Sequence, residues 1–223
     1  MNERKLLVLH ALTFLATLGY GVMIPTLSVH AHALGANHSE IGLIVSAFAA
    51  AQLLTQIPMG RLSDRIGRVV LVVVGFITVA VAATLYNFAS APGQFIVLQA
   101  LAGIGSGCLW PPLMAMLTDI TSSADRGKVM GTFNTVFFLG VGMGPLLGGF
   151  VASAFGPSAV FDTWAAVALL GGVLCLIALK ESARQPGGGK TRGSVSDGTP
   201  LVNEGMAATF AAGCVVRSRG GVC

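Results

Sequence analysis

Six long runs of the chain carry no Asp, Glu, Lys or Arg: residues 6–29, 41–59, 69–88, 94–118, 129–155 and 164–179. Within them apolar residues follow one another without the strict alternation of a half-buried strand and without a charged face. A helix rises about 1.5 Å per residue, so about 20 apolar residues cross the roughly 30 Å hydrocarbon core of a bilayer. Each run is read as a membrane-crossing helix. Short polar loops join them. Lipid admits only helices or closed barrels, because it cannot solvate an unpaired backbone group. The expected fold is an all-α membrane protein, with six transmembrane helices in residues 1–180.

Composition removes the soluble alternatives. The chain has 223 residues, 54% hydrophobic and only 10% charged, where a soluble domain carries about 25% charged residues. A soluble enzyme, a nucleic-acid-binding module and a disulfide-stapled secreted domain are all excluded. The net charge of +4 gains its meaning from placement. Segments 1–5, 60–68 and 119–128 hold Arg4, Lys5, Arg61, Arg65, Arg68, Arg126 and Lys128, whereas segments 30–40, 89–93 and 156–163 hold no Lys or Arg. Positive loops stay on the cytoplasmic side of a membrane. The remaining cations follow from Lys180 onward. A multi-pass protein of the cell membrane is expected, with the N-terminus and C-terminal tail cytoplasmic. The bilayer is then its partner, and no nucleic acid is. A cleaved signal peptide is disfavoured, because the apolar stretch 6–29 exceeds the usual core of such a peptide.

The last 43 residues differ in kind. Residues 181–223 contain nine glycines, including Gly187-Gly188-Gly189, a composition that suits a disordered cytoplasmic tail. Gly189-Lys190-Thr191 lacks the first glycine of a phosphate-binding loop, since position 184 is Arg184. Cys108, Cys175, Cys214 and Cys223 have no metal-ligand spacing. His30, His32 and His38 read as loop residues rather than as ligands. No metal and no cofactor are expected. Asn37-His38-Ser39 is a formal glycosylation sequon.

A short pattern recurs. Gly19-x-Gly21-x3-Pro25 in the first span returns as Gly105-x-Gly107-x3-Pro111 in the fourth, 86 residues on. Those two spans run in opposite directions. Two inverted three-helix repeats are expected, the arrangement of many secondary transporters.

Two motifs carry a family resemblance. Gly60-Arg61-Leu62-Ser63-Asp64-Arg65-Ile66-Gly67-Arg68 follows the second span. It resembles the G-x-L-[AS]-D-R-x-G-[RK] loop signature of the major facilitator superfamily. Gly140-Val141-Gly142-Met143-Gly144-Pro145-Leu146-Leu147-Gly148-Gly149 in the fifth span is similar to the G-x3-G-P-x2-G-G motif of that family's antiporters. Residues 19–25 and 124–131 also resemble drug-exporting members. The resemblance covers residues 6–180 and implies the N-terminal six-helix half of a twelve-helix carrier. It implies that Gly60, Asp64, Arg65, Gly67 and Arg68 form a conformational-switch loop, with Asp119 pairing with Arg68. It implies that Gly140, Gly144, Pro145, Gly148 and Gly149 form an antiporter-type helix face.

One position departs from the family. Its fourth helix often reads R-x-x-x-G-x-G, with the Arg linked to proton coupling. Here Gln99 stands in that place, and no Asp, Glu, Lys or Arg lies within any span. Embedded charges usually mark proton paths, so no proton relay is visible. Polar and aromatic residues within spans are the candidates for a substrate cavity: Tyr20, Met23, Gln52, Gln56, Gln99, Trp110, Asn134 and Phe138. Gln52, Gln56 and Phe48 share one helix face. The expected function is alternating-access efflux of small drug-like molecules, with the substrate itself unspecified. A single six-helix chain supplies one wall of such a cavity. A second six-helix half or a homodimer would complete it. The alternatives are a non-transporting truncated chain and an interaction subunit of an intact transporter. Six further apolar spans in a reading frame shifted downstream of codon 184 would mark a truncation. Enzymatic activity is not expected.

Overall fold

The computed structural model describes residues 3–179. Lys180 and the Gly-rich segment 181–223 lie outside the described residues. The described chain folds as α1 (Glu3–Ala33), α2 (His38–Ile66), α3 (Arg68–Leu85) with a 3₁₀ turn Tyr86–Phe88, α4 (Pro92–Asp119), α5 (Arg126–Phe155) and α6 (Pro157–Ala178). All six are long and apolar enough to cross a membrane.

Local chemistry sets the helix ends. Asn37 caps α2: its side-chain carbonyl accepts from the Glu40 amide at 2.9 Å, and Glu40 accepts from the Asn37 amide at 2.8 Å. This reciprocal pair satisfies two donors that a helix start leaves open. Pro92 and Pro157 begin α4 and α6, where a missing N–H costs nothing. The segment from Gly60 to Ile66, read from sequence as loop, is helical and completes α2. The reversal is confined to Gly67, whose φ of 104° suits a residue without Cβ.

The packing reproduces the sequence repeat. α1 packs on α5 and α6, and α4 packs on α2 and α3. Exchanging the two three-helix units turns one set of contacts into the other. The glycines follow the same exchange. Gly19 faces Trp164 and Val167 of α6, and its counterpart Gly105 faces Gly75 and Val79 of α3. Gly21 faces α5 at Gly140, Val141 and Gly144, and its counterpart Gly107 faces α2 at Gln52 and Thr55. Three chain reversals separate α1 from α4, so the two units are inverted.

Burial is unequal. In the most apolar stretch of α2 only 6% of residues are buried, and in α5 17%, against 44–61% in the other four helices. Leu54 on α2 and Leu146 on α5 are each about three-quarters exposed. α3 and α6 pack on each other across the opposite side. There Tyr86, Phe95, Phe161 and Trp164 form an aromatic core, with Tyr86 stacked on Phe161 at 5.0 Å.

Candidate functional site

The basic end of the bundle is tied by charge. Arg68 at the start of α3 forms ion pairs with Asp119 at the end of α4 and, at 3.6 Å, with Asp64 on the last turn of α2. The Arg68 side chain is 28% exposed and both carboxylates are more than half exposed. Water therefore screens the attraction, and such pairs give up to about 1 kcal/mol. Gly60 and Asp64 lie on the last turns of α2 with the exposed Arg65, so the motif clamps the ends of three helices around Gly67. At the opposite end the Asn87 amide donates to Asp162 at 2.6 Å, joining α3 to α6.

The α5 motif divides into two faces. Gly140, Gly144 and Gly148 are buried against α1, where a Cβ would strike Thr17, Gly21 and Val22. Small residues at every fourth position let two backbones touch. Pro145 and Gly149 point away from α1 and are exposed, and a Cβ at Gly149 would meet nothing within 4 Å.

Two adjoining cavities lie between the helices. An outer groove of about 480 Å³ is lined by Gln52 and Gln56 of α2, Trp110, Pro111 and Met114 of α4, and Phe133, Asn134, Phe137 and Phe138 of α5. An inner chamber of about 120 Å³ is lined by Leu15, Ala16, Thr17 and Tyr20 of α1, Phe48 and Gln52 of α2, and Phe76 and Val79 of α3. Ser106, Leu109 and Trp110 of α4 with Trp164 and Ala168 of α6 complete it. Gln52 and Trp110 line both. The Ser106 hydroxyl stands between them. It accepts from the Gln52 amide at 3.0 Å and from the Trp110 indole N–H at 3.0 Å. Tyr20 stacks on Phe48 at 4.7 Å along the chamber wall.

Six of the eight candidate cavity residues thus line one cavity or the other. Met23 and Gln99 do not. Both are almost wholly buried, and the Gln99 side-chain oxygen has no hydrogen-bond partner. Its amide occupies the place of the family's Arg without opening to either cavity. Ser106, Phe76 and Trp164 were not singled out from sequence. A signal for Ser106 did exist: the indole N–H of Trp110 needs an acceptor at membrane depth, and Ser106 is the hydroxyl one turn away. Among the described residues no cluster of His, Cys, Asp or Glu has metal-binding geometry. His30 and His32 close α1 and His38 opens α2, with His32 and His38 stacked at 6.1 Å.

Comparisons with known proteins agree on one family. The family model of the Major Facilitator Superfamily matches residues 9–218, beyond the last quoted motif. An uncharacterised MFS-type transporter of Methanocaldococcus jannaschii is 32% identical over 179 residues, covering 80% of this chain and 46% of the relative. Multidrug resistance protein 2 of Bacillus subtilis is 31% identical over 184 residues, covering 82% and 46%. A crystal structure of the peptide transporter POT in complex with sulfate superposes with a TM-score of 0.69 at 21% identity, over 96% of this chain and 44% of that one. That likeness shows the fold. The chain spans about half the length of the relatives it matches. With six membrane-crossing helices, paired inverted repeats and this match over most of its length, the chain is a multi-pass membrane protein that belongs to the Major Facilitator Superfamily.

Proposed function

We propose that the chain forms one wall of a carrier that exports small drug-like molecules, and that a second six-helix unit supplies the other wall. The single observation that supports this most is the open face of α2 and α5. These two helices bury the least of their apolar length, and between them lies the groove of Gln52, Gln56, Trp110, Asn134 and Phe138. A few amides set among aromatic rings suit a largely apolar ligand with one or two hydrogen-bonding groups. The named role of the Bacillus subtilis relative in multidrug resistance supports the export direction.

A second copy follows the same charge rule and so inserts in the same orientation. A two-fold axis along the membrane normal would then set two α2–α5 faces against each other, as the halves of such carriers are set. Alternating access is the rocking of the two units. The Arg68 clamp holds the basic end of this unit together while it moves. Gln99 carries no charge, so this chain contributes no charged residue there to couple proton flow.

The test is flux of a fluorescent lipophilic cation into liposomes holding the purified chain at graded density. A two-copy carrier gives flux that rises with the square of density when copies are scarce. It loses flux on Trp110→Ala. Flux proportional to density down to one chain per vesicle would contradict the need for a second unit. Absence of flux at every density would contradict the two-copy carrier and favour a non-transporting membrane protein.

A further inference from the structure

We propose that the inner chamber is a binding site for one uncharged aromatic ring, partly closed toward the outer groove by the hydrogen bonds that Gln52 and Trp110 make to Ser106. The chamber lies inside the six-helix bundle and draws on every helix except α5. It adjoins the α2–α5 groove through Gln52 and Trp110 but takes no residue from α5, and it needs neither a second unit nor transport to be occupied.

Size and lining select the ligand. The volume is about 120 Å³, and an apolar protein cavity of about 150 Å³ takes up benzene. Tyr20, Phe48, Phe76 and Trp164 supply ring edges and faces, and aromatic pairs favour offset or edge-to-face contact. Two hydroxyls on the wall already take part in hydrogen bonds. The Thr17 hydroxyl donates to the Thr13 carbonyl at 2.9 Å, and Ser106 already accepts two hydrogen bonds. No Asp, Glu, Lys, Arg or His lines the chamber. A charged ligand would lose its hydration with no counter-ion to replace it. A neutral ring loses only unfavourable water contact.

The closure is a side-chain device. Gln52 and Trp110 each border both the chamber and the outer groove, and both donate to the same oxygen. Turning Gln52 away from Ser106 breaks one neutral hydrogen bond and widens the passage between the two spaces. Ser106→Ala removes the shared acceptor and leaves the chamber walls otherwise unchanged.

The chain provides its own reporter. Its two tryptophans, Trp110 and Trp164, both line the chamber. The experiment titrates the full chain in lipid nanodiscs with iodobenzene, a heavy-atom quencher of tryptophan emission. Partition into lipid gives quenching linear in concentration. Occupancy of the chamber adds a saturable component. That component is expected in the native chain and absent with a benzyltrimethylammonium analogue carrying the same iodine. Ala16→Leu, which fills the chamber from α1, is expected to abolish it. Ser106→Ala is expected to speed entry about tenfold, the factor for about one net hydrogen bond lost. Should Ala16→Leu fail to fold, competition in the native chain decides. Excess benzene, which carries no heavy atom, is expected to remove the saturable component. A purely linear response in the native chain, a saturable response surviving in folded Ala16→Leu, or one that excess benzene leaves unchanged would overturn the proposal.

Discussion

The α1–α5 and α4–α2 interfaces occupy equivalent places in the inverted repeat, yet they are filled differently. In the first, Gly21 meets Gly140 and Gly144, and backbone touches backbone. In the second, the matching Gly107 meets the Thr55 side chain and the Gln52 carbonyl, while Gly103 one turn earlier meets the Phe48 carbonyl, so side chain and backbone share the contact. The second carries Gln52, Ser106 and Trp110 and borders both cavities. One scaffold, used twice, thus gives different contacts at the matched glycines Gly21 and Gly107, with a site beside the second. The difference lies in whether the facing residue has a side chain.

Substitutions break that comparison in graded order. The largest loss is expected at Gly144→Ala. Its new methyl would strike the backbone of Gly21 and Val22, which no side-chain adjustment relieves. Destabilisation of about 1–3 kcal/mol is expected from overpacking, read as a lower unfolding midpoint in detergent. Gly149→Ala on the same motif meets nothing and should shift stability by no more than about 0.5 kcal/mol.

Gly107→Ala comes next. Its methyl would lie 2.7 Å from the Thr55 Cβ, so a side chain is the obstacle. Destabilisation of about 1–2 kcal/mol is expected, and the double variant with Thr55→Gly should recover most of it. A double-mutant cycle measures that coupling. No matching trim exists for Gly144, because Gly21 has nothing to remove. Equal rescue at both joints would erase the proposed difference between them.

Ser106→Ala leaves two donors at membrane depth without their acceptor. A loss of about 1 kcal/mol is expected, since such bonds in membranes average below that of a fully orphaned pair. Red-edge shifts in Trp110 emission provide a second reading. The smallest effect is at the clamp. Arg68→Ala should cost at most about 1 kcal/mol in low salt and less in high salt, because Arg68, Asp64 and Asp119 all reach water.

The helices were legible in the sequence because lipid imposes a simple rule: a long charge-free run must satisfy its own backbone. The helical identity of residues 60–66 was not. Arg61, Asp64 and Arg65 are polar, and charge at the membrane surface marks the end of a span, not the end of a helix. The repeat was legible because close packing at Gly19, Gly21, Gly105 and Gly107 demands the smallest residue at matching places. Side-chain destination was less so. Met23 follows Tyr20 by three residues, about 60° short of a full turn, which is enough to move it from the chamber wall into the core. The burial of Gln99 and the role of Ser106 depend on which helix arrives opposite them, and one helix alone does not contain that.

The account rests most on the claim that a second six-helix unit covers the open face of α2 and α5. Site-specific photo-cross-linking from Leu54 and Leu146, in cell membranes at native expression, tests it directly. The account predicts one discrete cross-linked species from both positions, with none from Ile177, which is equally exposed but lies on α6. Lipid-only adducts from Leu54 and Leu146, or protein adducts from all three positions alike, would contradict it.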